Sequence, residues 1–136
     1  MTTLENIQEE FGLLEADDRY RLLIDLGRQL PEMPSALKTS ATLVRGCSAS
    51  VWVYPAFEKG HINFLADSNT AITKGIIALI LKTIEGKDAS QILGTDIDNC
   101  LLPFKLESQL SSNRTQGIPN MIAIIRSTAM RLIKEH

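Results

Sequence analysis

The stretch Ser50 to Ala66, "SVWVYPAFEKGHINFLA", decides the fold class of this 136-residue chain. In its first half Val51 and Val53 point one way while Trp52 and Tyr54 point the other. In its second half Ile62, Phe64 and Ala66 share a face. Strict alternation on both sides of the turn-forming "EKG" predicts an antiparallel hairpin with one buried side. Immediately upstream, "TLVRG" is a candidate third strand, giving a small sheet of about three strands.

Helical signals lie on both sides of the hairpin. Leu4, Ile7, Phe11 and Leu14 recur three or four apart and predict a first amphipathic helix. A second follows, with Asp17 and Asp18 as cap candidates, an inner face of Tyr20, Leu23, Ile24, Gly27 and Leu30, and an end at Pro31 and Pro34. The segment "PEMPSALKTSAT" is rich in turn formers and predicts a surface loop. After the hairpin, Asp67, Ser68 and Asn69 are cap candidates for a helix whose buried side is Ile72, Ile76, Leu79, Ile80 and Thr83, with Gly86 as its stop. Gly75 inside it costs about 1 kcal/mol relative to alanine unless something packs closely there.

A short helical turn is expected at "ASQILG", while the segment through "CLLPF" is ambiguous. Ile118, Met121, Ile122, Ile125, Ala129, Leu132 and Ile133 predict a last helix that begins or bends near Pro119. Helices, a small sheet and helices again make an α+β fold. No repeat or linker divides the chain, and residues 1–136 are expected to form one domain.

Composition narrows the function classes. The chain is 44% hydrophobic and 22% charged with a net charge of −2, the make-up of an ordinary globular protein. Its basic residues are scattered, so neither nucleic acid nor an anionic membrane is an expected partner. The start "MTTLENIQEE" lacks the basic and apolar regions of a signal peptide, and "IIALIL" is far short of the ~20 residues that cross a bilayer. A cytoplasmic location is therefore expected.

Two cysteines, Cys47 and Cys100, in a reducing compartment give no reason to expect a disulfide. Cys47 sits in "RGCSAS" at the entry to the hairpin. It reads either as a small buried hydrophobe or as a reactive thiol. For the second reading, Gly46 frees the backbone, Ser48 and Ser50 offer hydroxyls, and Arg45 favours thiolate over thiol. His61 and His136 are the only candidate bases, and His61 also reads as a solvated strand-end residue. Two cysteines and two dispersed histidines make a poor zinc or iron–sulfur set, and no phosphate-binding glycine motif is present. Chemistry in which one thiolate acts alone fits best, as in sulfur exchange with a persulfide or disulfide.

At this point the residues resemble a family, the SufE-like sulfur-acceptor proteins that serve cysteine desulfurases. "LGRQLP" at residues 26–31 resembles the family's "LGxxLP", and "GCSASVW" at residues 46–52 resembles "GCQSxVW". "DSNTAITKGIIA" at residues 67–78 resembles "DSDAxIVKGLIA", and "NRTQGIPNM" at residues 113–121 resembles "SRxxGLxAM". The resemblance implies a SufE/IscU-like α+β fold and a cysteine, Cys47, that accepts sulfur from a cysteine desulfurase and passes it to an iron–sulfur scaffold or another acceptor. It also implies no cofactor in this chain, the pyridoxal phosphate belonging to the desulfurase.

The chain departs from the pattern at Ser48 and Ala49, at Pro119 and at Asn120, and Cys100 matches no motif. Arg114, in the last block, reads as a stabiliser of the sulfur anion or as a surface ion-pair residue. Asp67 reads as a docking residue or as a helix cap, and Lys74 as partner-facing or simply exposed. Two rivals stand beside sulfur transfer: a conformational activator of a desulfurase that carries no sulfur, and a thiol hydrolase or peroxidase using Cys47 with His61.

Overall fold

A computed structural model describes residues 3–45, 50–58, 61–106 and 117–135. Helix α1 (Leu4–Leu13) starts where the Thr3 side chain accepts a hydrogen bond from the Asn6 amide, and it buries Ile7 and Phe11. Helix α2 (Ala16–Arg28) follows, stopping before Pro31 as the prolines require. Its cap position is Glu15 without a side-chain cap bond; Asp17 and Asp18 instead occupy the first turn, where the helix dipole favours acids. Tyr20, expected on the inner face, is 44% exposed, while Leu26, which that face left out, is buried. The reason is tertiary: the close contact with the next long helix falls at Leu23 and Gly27, farther along the same stripe than Tyr20.

Strands β1 (Val51–Glu58) and β2 (His61–Ser68) form the expected hairpin, in the register Val51 to Ser68 and Glu58 to His61. Val51, Val53, Ile62, Phe64 and Ala66 are buried on its inner face. The expected third strand shrinks to a single antiparallel bridge, Leu43 with Trp52. Its hydrogen bonds run from the Val44 amide to the Val51 carbonyl (2.7 Å) and from the Val53 amide to the Thr42 carbonyl (2.9 Å). Upstream of Thr42 the ladder cannot continue, because the chain turns. The Thr42 amide donates to the Thr39 carbonyl and the Thr42 hydroxyl donates to the Leu37 carbonyl. The sheet therefore has two strands plus this bridge among the described residues.

Helix α3 (Ala71–Ile84) crosses α2 and covers the inner face of the hairpin. The crossing explains both glycines. A Cβ on Gly75 would collide with the backbone of Leu23, and one on Gly27 would lie 2.7 Å from the Gly75 nitrogen. The helices touch backbone to backbone, so the propensity cost of Gly75 is offset by close packing. Gly86, at φ +73°, ends the run as expected.

Helix α4 (Ala89–Leu93) begins with a capping box between Asp88 and Gln91. The ambiguous segment resolves into α5 (Ile97–Leu101) and a 3₁₀ turn (Leu102–Phe104) that delivers Phe104 edge-on to Phe11, centroids 5.2 Å apart. Helix α6 (Gly117–Glu135) holds Pro119 in its first turn, where a missing amide hydrogen is harmless. It buries Met121, Ile122, Ile125 and Ala129, whereas Ile133 is 42% exposed near its end. Arg126 reaches from α6 to the carbonyls of Leu93 and Thr95, closing the C-terminal end of α4 with a cation. No helix among the described residues is long and apolar enough to cross a membrane.

Candidate functional site

Gly46, Cys47, Ser48 and Arg114 lie outside the described residues, so the site is built from what surrounds them. The connection carrying Cys47 leaves the sheet at Val44 and re-enters it at Val51, two residues joined by a ladder hydrogen bond. Both are buried, which fixes the two roots of the connection in the core. Ser50 is tied further: its amide donates to Asn69 Oδ1 at 3.1 Å, and the Asn69 amide donates back to the Ser50 carbonyl at 3.3 Å. On the other side, Asn120 Nδ2 in the first turn of α6 donates to the Arg45 carbonyl. Arg45 itself is exposed.

Asp67 sits opposite Trp52 in the hairpin register, next to these roots. Its carboxylate is only 16% exposed and meets two ammonium groups, Lys38 at 2.6 Å and Lys74 at 3.2 Å, while the Ser68 amide donates to it at 2.8 Å. Burial pushes the Asp67 carboxyl up, but the bonds from Lys38, Ser68 and Lys74 outweigh it and hold the group below its ordinary value. Lys38 also lies over the Trp52 ring, 5.5 Å from its centroid. Asp67 thus does not cap α3: the cap position belongs to Thr70, whose amide donates to the Ser68 hydroxyl. Lys74 is partly exposed and pairs with Asp67. Lys38, which carries no motif and lies in the loop ahead of the hairpin, was invisible to periodicity, since only the tertiary fold brings it to Asp67.

The structure separates other residues from this site. His61 is exposed at the far end of the hairpin, seven strand steps or about 23 Å from Val51. Cys47, the other half of the rival Cys47–His61 pair, lies outside the described residues. Cys100 lies half-buried in α5 as a free cysteine. Among the described residues no cluster of three histidine, cysteine or acidic side chains could hold a metal ion.

Comparison with known proteins agrees with this geometry. The SufE family model, described as an Fe–S metabolism associated domain, matches residues 5–129. The chain belongs to the SufE family. This SufE-family chain is 36% identical over 129 residues to the sulfur acceptor protein CsdE of Escherichia coli, covering 93% of this chain and 88% of that protein. It is 32% identical over 121 residues to the cysteine desulfuration protein SufE of Wigglesworthia glossinidia brevipalpis, covering 88% and 84%. Among solved structures, a hypothetical protein from Thermus thermophilus matches with a TM-score of 0.76 at 16% identity over 96% of both chains, a likeness of fold.

Proposed function

We propose that this chain is a sulfur acceptor for a cysteine desulfurase and that Cys47 carries the sulfur. The SufE match over residues 5–129 supports the reading most directly, because relatives of similar length bear the names of a sulfur acceptor and a cysteine desulfuration protein. The Cys47 thiolate attacks the outer sulfur of a cysteine persulfide on the desulfurase. A sulfur–sulfur bond forms at Cys47, the donor's sulfur–sulfur bond breaks, the donor cysteine leaves as thiolate, and the proton stays on the transferred sulfur. Atoms and electrons balance without a third reactant. The pyridoxal phosphate that frees the sulfur from cysteine belongs to the desulfurase, and the sulfur passes from Cys47 to an iron–sulfur scaffold or another acceptor.

The side chains near the roots suit this task. Arg45, and by its motif Arg114, supply positive charge for a thiolate or persulfide anion. Gly46 and Ser48 flank Cys47 in sequence with small side chains. Lys38 and Lys74 against Asp67 leave one net positive charge across the hairpin from Trp52, next to the Val51 root.

Incubation with a desulfurase and labelled cysteine, followed by intact mass and peptide mapping, tests the reading. The expected result is one added sulfur on Cys47, lost in Cys47→Ser together with the stimulation of alanine release. Stimulation that survives intact in Cys47→Ser would favour the conformational activator instead.

A further inference from the structure

Two asparagines hold the connection that bears Cys47, one at each root, and only one of them belongs to the same part of the chain. Asn69 follows β2 directly, so its exchange with Ser50 is a local extension of the hairpin. Asn120 comes from α6, 75 positions away from Arg45, and its bond to the Arg45 carbonyl ties a different element to the residue two before Cys47.

The donor stands on a stiff mount. Pro119 fixes its own φ just before it, and Gly117, Met121 and Ile122 on either side are buried in the core. Past the Val44 to Val51 ladder bond, the bond from Asn120 is the described contact nearest Cys47 on the upstream side. An alanine, which the resemblance gives as the usual residue here, has no donor to make it.

We infer that Asn120 is a positioning residue for Cys47, ordering the upstream root of its connection in the free protein so that less ordering remains when the partner docks. The inference rests on the sulfur-acceptor reading of Cys47. Docking a thiol into another protein requires its segment to adopt one path. That entropy is lost either in the free chain or at the encounter, and restraint beforehand tightens binding without touching the chemical step. One exposed neutral hydrogen bond shifts such an equilibrium by about 2- to 12-fold.

The test uses the full chain with Asn120→Asp and Asn120→Ala. A carboxylate keeps the size of the side chain and suits the first turn of a helix, yet it cannot donate to a carbonyl. Amide hydrogen exchange across residues 44–52, measured without any partner, is expected to quicken about 2- to 12-fold in both variants. In desulfurase stimulation assays the half-saturating concentration is expected to rise by a similar factor while the saturating rate holds. The melting temperature of the aspartate variant is expected to stay at or above that of the parent, which separates positioning from folding.

Unchanged exchange in both variants would overturn the inference. So would unchanged half-saturation, or a loss confined to the saturating rate. Should the parent take up no sulfur on Cys47, the sulfur-acceptor reading fails first, and the exchange data still report whether Asn120 restrains the root.

Discussion

Replacing Asp67 by asparagine keeps the shape of the side chain and removes its charge from between two ammonium groups. The Lys38 bond is short at 2.6 Å, and Asp67 is 16% and Lys38 29% exposed, so it counts as a partly buried charge-assisted bond of about 1.5–3 kcal/mol. Lys74 is 40% exposed, and its share is screened to about 0.5 kcal/mol. A net loss of about 2 kcal/mol is expected at neutral pH. With a urea m-value of about 1.5 kcal/mol/M, the midpoint falls by about 1.3 M. Urea unfolding from pH 7 downward adds a sign check. The folded carboxyl titrates below its ordinary value, so its contribution is complete above about pH 5 and disappears as pH falls through the folded pKa. The gap between parent and variant should therefore close in acid. A gap that stays constant from pH 7 into the acid range, or no gap at pH 7, would refute the charge argument.

Other outcomes follow from the same geometry. Gly75→Ala forces a Cβ into the Leu23 backbone, which cannot swing aside as a side chain would, and should destabilise by about 2 kcal/mol or more despite the better helix former, read by thermal unfolding. Asp88→Ala breaks the capping box of α4 and should cost about 1 kcal/mol in the same assay. His61→Ala and Cys100→Ser should each leave sulfur uptake within about twofold of the parent, since one lies at the far end of the hairpin and the other packs in α5; a larger loss would reopen the hydrolase reading or move the carrier to Cys100.

By itself the sequence determined the elements whose signal is local. Alternation from Val51 to Ala66 forced the hairpin and its buried face, because a strand repeats every two residues; three-to-four spacing forced α1, α3 and α6, because a helix repeats every 3.6. Four motif blocks led to the family, and with it to Cys47. The tertiary structure decided what depends on residues distant in the chain. It set Lys38 and Lys74 on Asp67, turned Tyr20 outward and Leu26 inward, put His61 at the turn end of the hairpin, and brought Asn120 to Arg45. It also cut the third strand to one bridge, since the hydrogen bonds of Thr42 turn the chain away. Periodicity reports which face of an element seeks the core, but a pair of residues meeting across the fold leaves no periodic trace, and only the packed chain reveals it.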